Sequence, residues 1–84
     1  MKQCPWEKIN DFRRYSEFDQ FVEWINDQVT SNLAKELPVK NRYIGSTIFQ
    51  EKWFLHISSG QVWRVVWPDF PFTGVFEPIE KNDQ

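Results

Sequence analysis

Cysteine, histidine and glycine are scarce in this chain, and each scarcity removes a class of function. One cysteine, Cys4, cannot build an internal disulfide framework. Gly45, Gly60 and Gly74 stand far apart, so no glycine-rich loop is available to wrap a phosphate with consecutive backbone amides. Long hydrophobic runs are missing too. None approaches the roughly 20 apolar residues that cross a bilayer, and MKQCPWEKIN carries no hydrophobic leader core. The expectation is a cytoplasmic domain that does not enter a membrane. Nor is there an excess of positive charge. The net charge of −2 forfeits most of the counterion release that drives nucleic-acid binding and offers no bulk attraction to anionic lipid.

What is plentiful is aromatic. Five Trp, eight Phe and two Tyr make up 18% of the 84 residues. A domain of this length buries only about 60–65% of the surface its unfolded chain exposes, so large side chains must fill its core. The same composition argues against a disordered chain.

YSEFDQFVEWINDQVTSNLAKEL carries the strongest periodic signal. Phe18, Phe21, Val22, Ile25, Val29 and Leu33 recur at spacings of three and four, which makes one apolar stripe and predicts a helix over Glu17 to Ala34. Ser16 fits an N-cap, with Asp19 three residues on. Pro38 closes the region, because the residue before proline avoids the helical basin. Glu17, Asp19, Glu23 and Asp27 give this segment four acids and no base up to Thr30. Trp24 falls roughly 120° from Phe18, off the stripe and among the acids. Two readings are open. Either the arm PWEKINDFRRY folds over Trp24 and buries it, as is the rule for large aromatics, or Trp24 is an exposed anchor ringed by carboxylates.

After Pro38 the pattern changes to short β-prone runs. EKWFLHI, QVWRVVW and GVFEPI predict strands over about 52–57, 61–67 and 74–79 in a meander, with STIF (46–49) a candidate fourth and Pro78 at an edge. The fold class is therefore α+β, one long amphipathic helix packed on a three- to four-stranded antiparallel β-meander. It forms a single domain, with an N-terminal arm over 1–15, the helix over 16–35 and the sheet over 42–80. In HISSGQVW a three-residue loop with Gly60 in the left-handed position pairs Ile57 with Gln61. That register puts Trp53, Leu55, Ile57, Trp63, Val65 and Trp67 on one face toward the helix. It turns Lys52, Phe54, His56, Val62, Arg64 and Val66 outward. With Phe18, Phe21, Val22, Ile25 and Val29, the first set forms the expected core.

Chemistry finds little support. HISSG has the spacing of a zinc-ribbon knuckle, with His56 and Ser59 at the ligand positions, but serine is a poor zinc ligand and only Cys4 offers a thiolate elsewhere. Cys4 has no identifiable activating environment, and His56 as a general base needs a partner in hydrogen-bonding reach. No catalytic residue, metal or cofactor is expected. A single-stranded nucleic-acid module using Lys52, Phe54, His56, Arg64 and Arg42 on the outer sheet face, or a metal-free degenerate zinc-ribbon-like module, is the alternative.

Surface complementarity remains. The helix offers Glu17, Glu23 and Asp27 around Trp24, and the loop WPDFPFTGVF adds Asp69 among phenylalanines that otherwise cap the core. An acidic, tryptophan-rich chain with a helix such as SEFDQFVEWINDQV resembles in type the small immunity proteins with which bacteria neutralise their own toxins, the barstar type among them. No motif is shared, and the predicted meander departs from barstar's parallel sheet. The resemblance implies a function class and carries no residue across: a non-enzymatic inhibitor that occludes a basic protein, such as a cognate toxin. The one-signed helix and the absence of catalytic groups point to Glu17, Glu23, Trp24, Asp27 and Asp69 as the residues expected to make that contact. The resemblance leaves the oligomeric state open.

Overall fold

The computed structural model describes residues 4–45, 49–69 and 71–80. It is an α+β arrangement of helix α1 (Tyr15–Thr30) and strands β1 (Ala34–Leu37), β2 (Glu51–His56), β3 (Gln61–Val66) and β4 (Val75–Pro78), the strands forming one antiparallel sheet in the order β1-β2-β3-β4. A short 3₁₀ turn at Tyr43–Gly45 lies in the connection from β1 to β2.

Both ends of α1 differ from expectation. Arg14, not Ser16, is the N-cap, and it makes no side-chain cap bond. Instead Glu17 reaches back, its Oε2 accepting from the Arg13 amide at 3.1 Å, one residue before the N-cap amide that the third helical carboxylate binds in a capping box. At the other end Asn32 adopts φ 61°. The Asn32 amide donates to Val29 O at 3.1 Å and the Leu33 amide to Gln28 O at 2.9 Å. This pair of bonds is a Schellman stop, with asparagine taking the left-handed position usually given to glycine. The helix therefore ends at Thr30, four residues early, and Ala34 to Leu37 become the fourth strand. The expected strand at STIF falls mostly on residues 46–48, which lie outside the described residues, and Phe49 is not in a strand.

The hairpin register also differs. His56, not Ile57, pairs with Gln61, so the loop holds four residues and Gly60 takes φ 75° at its end. One step of register exchanges the faces of a strand. Phe54 and His56 thus point toward the helix beside Trp63 and Val65, while Trp53 and Leu55 point away beside Val62 and Arg64. Ile57, assigned to the core from the sequence, is 48% exposed in the loop. The expectation failed because it assumed that one face only is buried. The main core on the helix side joins Phe18, Phe21 and Ile25 to Phe54, Trp63, Val65 and Phe76, with Val22, Val29 and Trp67 partly buried against it. A second cluster of Trp53, Val62 and Ile79 lies on the back, flanked by Leu37, Val39 and Leu55.

A buried ion pair fits this register and not the expected one. Glu51 and Arg64 lie on the back face, and the Glu51 side chain is 1% exposed. Its Oε2 accepts from Arg64 Nε at 2.7 Å and from Trp53 Nε1 at 2.8 Å, and its Oε1 accepts from the Tyr43 amide at 2.7 Å. Arg64 donates further to Glu77 Oε2 at 3.3 Å and to Asn41 O at 3.1 Å. Slipping β2 against β3 by one residue would put the two charges on opposite faces and leave each to be desolvated alone.

The arm lies along β4. Ile9 and Phe76 exchange backbone hydrogen bonds at 2.8 Å in each direction, and the Phe12 amide donates to Thr73 O at 3.0 Å. Trp6 and Phe12 are buried in the main core. Gly74 permits the close approach: it has φ 84°, and a Cβ there would lie 3.0 Å from Phe12 Cδ2.

Candidate partner-binding groove

The arm covers Trp24 only in part. Trp6 enters between the helix and the sheet, its ring centroid 5.4 Å from Trp24, 4.7 Å from His56 and 5.8 Å from both Trp63 and Phe76. These are edge-to-face and tilted geometries that aromatic quadrupoles favour. Trp24 also meets Phe21 at 5.6 Å, yet it remains 37% exposed. It is neither the fully covered core residue nor the free-standing anchor weighed from the sequence. It stands at the lip of an open groove of about 560 Å³ between the arm and α1.

The groove has an apolar floor of Ile9, Phe12, Phe21 and Phe76, and its charged rim carries Glu7, Asp11 and Glu17 against Lys8. Among the lining side chains three carboxylates stand against one ammonium, Arg13 and Arg14 follow where the groove ends, and the one-signed helix carries Glu23 and Asp27 farther along. Of the expected partner-binding residues, Glu17 and Trp24 line the groove. Glu23 and Asp27 are exposed on the helix beyond it, and Asp69 is apart, its backbone paired with Phe72 in the loop after β3. Phe70 lies outside the described residues, and Phe72 packs against Tyr43 and Phe49 at 5.7 and 4.6 Å.

No protein-family model, no curated protein and no solved structure matches this chain. The groove is therefore interpreted from its own residues.

Those residues also bear on the alternatives. His56 is 7% exposed under Trp6; its Nδ1 accepts from the Ser59 amide at 3.3 Å and lies 2.7 Å from Ser59 Oγ. The knuckle-like HISSG is thus a loop closed on its own side chains. Among the described residues no group of three or more His, Cys, Asp or Glu side chains could hold a metal ion. The stacking platform considered for nucleic acid is not formed. Phe54 and His56 are buried toward the helix, and Arg64 on the other face lies between two carboxylates. Also among the described residues, no helix is long and apolar enough to cross a membrane.

Sequence reasoning missed Glu7 and Asp11 because it gave the arm no role in a site. Trp6, Ile9 and Phe12 recur every three residues, a spacing that fits neither the strand period of 2 nor the helix period of 3.6. The available signal was that triplet of large apolar side chains separated by charged and polar ones.

Proposed function

We propose that this chain is a non-enzymatic protein-binding domain that serves as an immunity protein, occluding a basic toxin through the groove between its arm and α1. One observation carries the reading: Trp24, 37% exposed, stands at the lip of an apolar trough with an acidic rim. A partner segment with an apolar side chain between lysines or arginines would bury that side chain against Trp24, Ile9 and Pro5 and set its cations beside Glu7, Asp11 and Glu17. Full burial of one large apolar side chain contributes about 1.5–3 kcal/mol. The rim carboxylates mainly speed encounter and reject acidic partners. Occlusion of a basic active site needs no chemistry from the inhibitor, only fit and charge.

Two measurements test the reading at its two levels. A displayed peptide library selected on the native chain and counter-selected on Trp24→Ala should enrich sequences with one large apolar residue flanked by basic ones. Enrichment of acidic sequences, or no difference between the two chains, would overturn the groove. For the immunity role, expression of the chain should relieve growth arrest caused by a basic toxin encoded beside its gene, and Trp24→Ala with Glu17→Lys should not. Failure to relieve the arrest removes the immunity role and leaves binding to stand on the library.

A further inference from the structure

We infer that the groove also receives the Arg13-Arg14-Tyr15 corner of a second copy, so that the free protein associates as a two-fold dimer that masks its own binding surface. The inference rests on the groove being an open docking surface, as proposed above, and is independent of the partner's identity. The corner has the chemistry the groove asks for. Tyr15 is 67% exposed, the most exposed aromatic side chain among the described residues, and two exposed arginines precede it. Neither arginine side chain forms an ion pair among the described residues. The phenol would lie on Ile9 and Pro5 against the Trp24 edge, and the guanidinium forks would meet Asp11 and Glu17 in the planar, bidentate manner that suits carboxylates.

Placement supports a closed pair rather than a chain of molecules. The corner begins where the groove ends: Phe12 lines the groove and also the shallow pocket of about 130 Å³ formed with Arg13, Arg14 and Tyr15. An exposed basic, aromatic segment and an acid-rimmed groove thus lie side by side on one surface. A two-fold axis between two such surfaces satisfies both contacts at once and closes the assembly. A partner protein must then compete with the second copy for each groove.

The test is a charge swap followed by sedimentation equilibrium of the full chain from about 10 µM to about 1 mM, where a weak dimer's mass depends on concentration. The native chain should move from its monomer mass of 10.2 kDa toward twice that value, with at least about tenfold weaker association when salt rises from about 0.05 M to about 0.5 M. Arg13→Glu with Arg14→Glu should remain monomeric, because acid then meets acid. Asp11→Lys with Glu17→Lys should also remain monomeric, because base meets base. Mixed together, the two variants should form a heterodimer in which both contacts are again of opposite sign. The substituted side chains are exposed, and circular dichroism verifies that each variant folds. A native chain that is monomeric at every concentration overturns the dimer, as does a dimer indifferent to either reversal or a mixture that stays monomeric. Peptide selection on the Arg13→Glu, Arg14→Glu variant then reads the partner groove alone, so the failure of one proposal is distinguishable from failure of the other.

Discussion

Replacing Glu51 by Gln keeps the volume of the side chain and removes its charge from the most enclosed polar site in the sheet. The carboxylate accepts three hydrogen bonds, from the Tyr43 amide, the Trp53 indole and Arg64. Glutamine must turn an NH₂ group toward at least one of these donors, and Arg64 keeps only Glu77 as a counter-charge, at 3.3 Å and partly exposed. Breaking a buried pair from one side costs about 3–5 kcal/mol. At roughly 0.05–0.15 kcal/mol per residue, a chain of 84 residues has only about 4–13 kcal/mol in total. The substitution therefore removes about a quarter of the stability or more and lowers Tm by about 12–40 °C. Urea unfolding, followed by tryptophan fluorescence and circular dichroism, measures the loss. Arg64→Met should cost a similar amount, and the double variant should cost at least about 1.5 kcal/mol less than the sum, because the two groups act through each other. A loss under about 1 kcal/mol for Glu51→Gln, or strict additivity, would refute the argument that this pair holds the register.

The register itself has a direct check: Ile57→Asp should change stability by no more than about 0.5 kcal/mol, as for an exposed position, whereas Phe54→Ala should cost about 3–5 kcal/mol. The pairing inferred from the sequence predicts the reverse, and the same urea titration separates them. Asn32→Ala should lose about 1 kcal/mol in thermal unfolding, since alanine tolerates the left-handed conformation poorly, while Asn32→Gly should be neutral or better. Trp6→Ala should cost about 3–5 kcal/mol, and it should raise acrylamide quenching of the remaining tryptophans, because Trp24 and Trp63 lose the ring that covers them; unchanged quenching would mean that the arm does not lie on the helix.

The stripe of Phe18, Phe21 and Ile25 was legible because a helix repeats its buried face every 3.6 residues, and those three are the buried residues of α1. Its end was not legible, since Leu33 continues the spacing and the stop depends on a single backbone angle at Asn32. The existence of the hairpin followed from two β-prone runs around Ser-Ser-Gly. Its register did not follow, because both choices offer apolar faces: Phe54, Trp63 and Val65 on one, Trp53, Val62 and Val66 on the other. The buried pair of Glu51 with Arg64 selects between them, and alternation counts such residues as surface. For the groove, Glu17 and Trp24 could be found on the helix alone. Glu7 and Asp11 could not, because they reach the site through the arm's hydrogen bonds to β4, a contact between segments about 65 residues apart that no local pattern encodes.

The bridge between Ile9 and Phe76 has a consequence for how the molecule behaves among its copies in an unpurified, crowded solution. A sheet of four strands has two margins, and a bare margin is a template on which further chains can add strands without limit. At one margin β1 is four residues long, carries Lys35 and Glu36, and is followed by Pro38, features that discourage such growth. At the other, β4 is apolar at Val75 and Phe76, and the arm occupies its free backbone groups at Phe76. If the arm lifted away, an aromatic strand would lie open to its like. The segment that shapes the groove thus also covers the edge on which another copy's strand could add.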